Sequence, residues 1–126
     1  MKRGKRSNEE RTRRKLLELW QSDEDFGAAI GCVATTFTFD AAFFEEECLG
    51  RFAGIQSDPN DNARAYVIER EEKLAQCFAA VIVDQTHVPT HRSLRWQVLA
   101  ARVRGGILHA KLTLLVWQNR IRMLVG

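Results

Sequence analysis

No apolar run in this sequence is long enough to cross a bilayer. The longest, Phe78-Ala79-Ala80-Val81-Ile82-Val83, falls far short of the roughly 20 residues a spanning helix needs. The N-terminus also lacks the apolar stretch of a secretory signal, so the expectation is a cytoplasmic protein with no transmembrane segment. Cysteine is scarce: Cys32, Cys48 and Cys77 are odd in number, widely separated, and without the paired spacing of a zinc or redox motif. They read as buried free thiols. Histidine is scarce too. His87 and His91 have the spacing of a helical metal pair, but Pro89 lies between them and no nearby Cys or third His completes a site. No metal and no cofactor are expected, and Gln85 to Arg92 reads as a turn.

What the sequence does hold is one domain's worth of core, with 126 residues and 45% hydrophobic content. Its net charge of +3 hides an asymmetry. Lys2, Arg3, Lys5, Arg6, Arg11, Arg13, Arg14 and Lys15 face only Glu9 and Glu10, giving residues 1–15 a net +6 against −3 for the remainder. Such an arm can lie along a phosphate backbone and add salt-sensitive, sequence-independent affinity, or serve as a solvated tail. An anionic membrane surface would attract it as well.

Along the chain, Ser7 and Glu10 match a capping box, which predicts a helix from about Asn8 to Gln21 that docks through Leu16, Leu17, Leu19 and Trp20. β-branched and aromatic residues predict a strand over Cys32 to Phe39. Asp40 then caps a helix in which Phe44, Cys48 and Phe52 recur every four residues, with Glu45, Glu46 and Glu47 on the exposed side. Turn formers mark a loop over Gly54 to Asn62. Ala63 to Gln76 reads as helix, although Tyr66-Val67-Ile68 would also suit a short strand. Phe78 to Asp84 predicts a strand buried on both faces of a parallel or mixed sheet, and Leu94 to Val103 another strand. Loops at the carboxyl ends of such strands are where α/β sheets hold ligands, so Arg92 and Arg95 are candidate phosphate contacts.

The stretch with the most chemistry is Gly105-Gly106-Ile107-Leu108-His109-Ala110-Lys111-Leu112-Thr113-Leu114-Leu115-Val116-Trp117. Read as a strand, it places Ile107, His109, Lys111 and Thr113 on one face and Leu108, Ala110, Leu112 and Leu114 on a core face. An imidazole beside an ammonium suits phosphate chemistry: one attacks phosphorus while the other neutralises its oxygens. Trp117 to Arg120 suits a hairpin turn, with Asn119 able to take a positive φ, and Ile121, Met123 and Val125 then face one way.

His109-Ala110-Lys111-Leu112-Thr113-Leu114-Leu115, the turn after it and Ile121 to Gly126 resemble the signature region of the phospholipase D superfamily. The resemblance extends to Thr35-Thr36-Phe37-Thr38-Phe39-Asp40, Phe43-Phe44-Glu45 and Arg92-Ser93-Leu94-Arg95-Trp96, so it covers roughly residues 30–126, with His-x-Lys its diagnostic part. Val116 stands where the common motif has Asp, which makes the pattern more similar to the tyrosyl-DNA phosphodiesterase branch. The chain stops at Gly126, where the family would place its Ser/Thr and Asn, and it holds one motif where the family's enzymes assemble two.

The resemblance implies one α/β domain, a mixed β-sheet flanked by helices, corresponding to a phospholipase-D-like half domain. Residues 1–22 would form the basic arm and helix, and residues 23–126 a C-terminally incomplete α/β domain. It implies phosphodiester cleavage, with nucleic acid the favoured substrate, His109 forming a phosphohistidine and Lys111 holding the phosphate oxygens without a metal. The second half-site would come from missing downstream sequence or from a homodimer, so little turnover is expected of this chain alone. Phospholipid hydrolysis is an alternative. So is a catalytically incomplete domain that binds nucleic acid or a partner.

Overall fold

A computed structural model of the chain describes residues 8, 10, 11, 16–90, 93–108 and 110–125. Five strands form one mixed sheet in the order β3-β2-β1-β4-β5. These are β1 (Ala29–Thr36), β2 (Phe78–Asp84), β3 (Gln97–Ala101), β4 (Leu112–Trp117) and β5 (Arg120–Val125). β1, β2 and β3 run parallel, whereas β4 is antiparallel to both β1 and β5. The sequence expectation of an α/β fold with a mixed sheet flanked by helices holds.

The helical segment between β1 and β2 packs on one face of the sheet. Segment α1 is α-helical at Ala41–Phe43 and Gly50–Ala53, with a π-helical stretch, Phe44–Leu49, between. Asp40 caps it as the sequence predicts, accepting from the Phe43 N–H at 3.1 Å. Gly54, at φ 71°, ends it in the left-handed region that glycine enters without cost. Phe44, Cys48, Leu49 and Phe52 of α1 meet Cys32, Ala34, Ala79, Val81, Val83, Leu115 and Trp117 of the sheet in one buried cluster. Cys32 and Cys48 are free buried thiols, and burial pushes the Cys48 thiol up to about 12. Glu45 departs from its expected exposed role. It is half-buried, accepts from Trp96 Nε1 at 3.2 Å and pairs with Arg70 at 3.4 Å.

The second long helix, α2 (Ala63–Leu74), settles the Tyr66–Ile68 ambiguity in favour of helix, with Asn62 as its N-cap. Glu69 of α2 reaches back to the preceding loop, accepting from the N–H groups of Gln56 and Ser57, both at 2.8 Å, and pairing with Lys73 at 2.9 Å. Burial works to raise the Glu69 carboxyl, but Ser57, Lys73 and Gln56 together hold it down at about 2. A depressed folded-state value means that this contribution to stability is complete above about 4.5 and is lost as pH falls through about 2. Glu69→Gln is therefore expected to flatten the fall of stability with pH in that acid window, measured by urea unfolding at a series of pH values. An unchanged slope would rule the loop anchor out as an acid-sensitive element.

Several boundaries differ from the sequence expectation. β1 starts at Ala29 and stops at Thr36, because the Thr36 hydroxyl donates to the Thr38 carbonyl at 2.5 Å and turns the chain. β3 is shorter than Leu94 to Val103, since Ser93 Oγ accepts from the Arg95 N–H and Trp96 is buried against Phe39 and Phe44 before pairing begins. Residues 8, 10, 11 and 16–20 are helical, Glu10 of the expected capping box among them, while Ser7 lies outside the described residues. The β4–β5 turn does not use a positive φ at Asn119. Instead the turn is pinned to the 25–28 segment: Gln118 exchanges hydrogen bonds with Ala28, and the Asn119 N–H donates to the Phe26 carbonyl at 2.9 Å.

The opposite face of the sheet carries Phe78, Leu99, Leu112, Ile121, Met123 and Val125, all exposed, with Val125 the most open at 79%. Ile121, Met123 and Val125 do face one way, as expected, and that way is outward. Arg122 of β5 lies on the helix side, 5.7 Å from the Trp117 ring and 5.5 Å from that of Phe26.

Candidate functional site at the carboxyl ends of the central strands

Among the described residues of the expected His-Lys strand, 107, 108, 110 and 111 are not in a strand. β4 begins at Leu112, so Lys111 precedes it and is exposed, and His109 lies outside the described residues. The physical reason is that side chains take the place of ladder partners here. Asp84 Oδ1 accepts from the Leu108 N–H at 2.8 Å. The Thr35 hydroxyl donates to the Ala110 carbonyl at 2.8 Å and accepts from the Leu112 N–H at 2.9 Å. The faces are also reversed. Leu115 and Trp117, on the parity assigned to the polar face, are buried, whereas Leu112, assigned to the core, is 41% exposed.

These bonds hold the segment before residue 109 and on both sides of residue 111, at the carboxyl ends of β1 and β2. The sheet departs there from simple parallel winding, since β4 enters beside β1 from the other direction. Crevices outside the carboxyl ends of strands are the usual ligand sites of open α/β sheets. The chain reaches this place from β3 through residues 102–111, which add Arg102 and Arg104, both exposed. Gly105 turns the loop at φ 69°.

Beneath the loop sits Asp84, 2% exposed, at the last position of β2. Its second oxygen accepts from the Thr86 hydroxyl at 2.5 Å and from the Thr86 N–H at 3.1 Å. The Thr86 hydroxyl and the Leu108 and Thr86 N–H groups hold the Asp84 carboxyl below the usual carboxylate range, so it is ionised at neutral pH. Thr86 Oγ1 also lies 2.9 Å from His87 Nδ1. The exposed His87 ring packs on Phe37, with centroids 4.4 Å apart, just past the end of β1.

Of the other residues singled out by sequence, Arg95 lies at the amino end of β3, the opposite end of the sheet from Lys111. Its Nε donates to Glu71 Oε2 of α2, and this bond holds the Glu71 carboxyl below its ordinary value. Arg95 therefore anchors α2 to the start of β3 and is not brought to the same place as Lys111. His91, Arg92 and, in the basic arm, Lys2, Arg3, Lys5, Arg6, Arg13, Arg14 and Lys15 lie outside the described residues; Arg11 is described and exposed. Sequence reasoning passes over Thr35, Asp84, Arg102 and Arg104, and of these only the aspartate closing an apolar strand carries a signal that could have marked it. Among the described residues no helix is long and apolar enough to cross a membrane, and no three His, Cys, Asp or Glu side chains are grouped to hold a metal ion. Compared with protein-family models, curated proteins and solved structures, the chain finds no match.

Proposed function

We propose that this chain acts on phosphodiesters, with nucleic acid the favoured substrate, through His109 as nucleophile and Lys111 as the cation that meets the phosphate oxygens. The observation that supports this reading is the double anchoring of the 108–112 segment. Asp84 grips it before His109, and Thr35 grips it on either side of Lys111, so backbone leading into the start of β4 is fixed by three hydrogen bonds to side chains at the carboxyl ends of β1 and β2. Preorganisation of that kind is what electrostatic stabilisation of a phosphoryl group requires. Lys111, Arg102 and Arg104 give the same loop a local excess of positive charge.

The test is a burst measurement with bis-p-nitrophenyl phosphate, whose leaving group departs without protonation. One equivalent of p-nitrophenol, with phosphate held on the protein in an acid-labile linkage, is the expected result, and His109→Ala should abolish both. No burst, or a burst that survives His109→Ala, would return the segment to a purely structural role. DNA binding is expected to weaken on deletion of residues 1–15. The slope of log affinity against log salt should become shallower by about 0.9 for each phosphate that the arm no longer neutralises, and an unchanged slope would place binding elsewhere.

A second reading, a domain that binds a partner without turnover, is favoured by the open sheet face. Exposed Phe78, Leu99, Leu112, Ile121, Met123 and Val125 form an apolar surface of the kind that marks interaction sites. Absence of the burst together with saturable binding of DNA or protein would favour it.

A further inference from the structure

We propose that the open face of the sheet is a dimer interface, covered by the same face of a second copy of this chain whose strands run the opposite way. The proposal names the partner that the second reading above leaves open; it rests on that reading and takes nothing from the phosphodiester one. Val33, Leu114 and Met123 form one cross-strand row, with Val116 and Ile121 on one side of it and Leu112 and Val125 on the other. Among the described strand positions of this face the only charged residue is Asp84, which Leu108 and Thr86 occupy. The helices pack on the opposite face, yet parallel strands such as β1, β2 and β3 occur almost only in sheets covered on both faces.

These 126 residues hold no further apolar segment to close that face, since of those outside the described set Met1 alone has a large apolar side chain. A second copy supplies a surface of matching chemistry. The six open side chains, 41% to 79% exposed, leave on the order of 600 Å² of apolar area, and the part-exposed Val33, Leu114 and Val116 add to it. A standard interface takes about 800 Å² from each partner, so the face laid on its own kind approaches that size. Such pairing of one patch with itself closes at two copies.

Charge fixes the orientation. At the carboxyl ends of the parallel strands stand the exposed Arg102, Arg104 and Lys111. At the other end Asp23, Glu24 and Asp25, also exposed, precede β1 and outnumber Arg120, which stacks on Phe26 at 5.0 Å. Two sheets stacked face to face are related by a two-fold axis lying between them, either along the strands or across them. An axis along the strands sets like ends together. An axis across them sets the basic end of each copy over the acidic end of the other, twice in every dimer, and opposite potentials attract. That arrangement lays the row of Val33, Leu114 and Met123 on its own counterpart at the axis, with Ile121 of one copy facing Val125 of the other.

The experiment is sedimentation equilibrium of the whole chain over a concentration series. A monomer–dimer equilibrium is expected, and Met123→Lys should weaken it by about 10²-fold or more, because each dimer would then bury two unpaired ammonium groups at the axis. Ile121→Lys, at a second exposed position, should act likewise, and the far-ultraviolet circular dichroism of both variants should match wild type. At low salt, Glu24→Lys and Arg104→Glu should each weaken the dimer by about tenfold, an effect that high salt erases. A dimer that survives both apolar-to-lysine variants, or larger assemblies in place of a dimer, would overturn the interface. Tightening by either charge variant, or no change, would overturn the antiparallel orientation. A wild-type monomer at every concentration would overturn the dimer and leave the partner-binding reading to its own test with DNA or protein.

Discussion

Replacing Trp117 by alanine is expected to destabilise the chain by about 3–5 kcal/mol, the range for truncating a fully buried large aromatic side chain. Trp117 is 1% exposed and ties three parts of the chain together. Its ring lies 5.1 Å from those of both Phe26 and Phe52, and Arg122 approaches it at 5.7 Å. Its Nε1 donates to the Phe52 carbonyl at 3.0 Å, in the last turn of α1. Truncation would leave that carbonyl without its buried partner, a penalty of about 1–3 kcal/mol within the total. Since a domain's whole stability is about 5–15 kcal/mol, Trp117→Ala can approach outright unfolding. Trp117→Phe separates the two effects, because it keeps most of the ring volume and loses only the N–H. Urea unfolding of the three proteins should rank wild type, Phe, then Ala. A loss under about 1.5 kcal/mol for alanine would mean that Trp117 does not join α1 to the sheet.

Lys111→Ala is expected to slow formation of the phosphorylated protein by roughly 10²–10³, the scale on which one preorganised electrostatic donor contributes, while leaving the urea midpoint unchanged. The contrast with Trp117 follows from position. Lys111 is exposed and begins no strand, and the bonds that fix its neighbours, Thr35 to Ala110 and to Leu112, involve backbone atoms that the substitution retains. Lys111→Arg should recover part of the rate, since charge is kept and only the geometry of the donor changes. A loss of stability equal to that of a core truncation, or a rate within about threefold of wild type, would remove Lys111 from the site.

How legible each feature is in the sequence depends on the kind of force that sets it. The buried strand Phe78 to Asp84, the helix bearing Phe44, Cys48 and Phe52, and the cap at Asp40 are legible, because burial and capping leave periodic or local marks. The His-Lys stretch misleads, since its alternation continues evenly from Leu108 to Leu114, and nothing local says that Asp84 and Thr35, distant in sequence, will replace its ladder partners. The same limit hides the role of Arg95, whose pairing with Glu71 depends on α2 docking beside the start of β3. Asp84 looks like the polar end of an apolar run. Its role emerges only when the chain beyond β3 brings the Leu108 N–H onto its carboxylate.

The antiparallel contact of β4 with β1 carries a kinetic consequence. Ala28 and Gln118, bonded to each other, are 90 residues apart, and β1 cannot acquire its β4 neighbour until nearly all the intervening chain is in place. Loop-closure entropy must be spent on that pairing before any contact rewards it, so contact order predicts folding towards the slow end for a chain of this size. During synthesis, β1, α1 and β2 would emerge as an unfinished layer whose core still lacks Leu115 and Trp117. A nascent chain in that condition exposes apolar strand surface for seconds at ordinary elongation rates, long enough for chaperones to engage it.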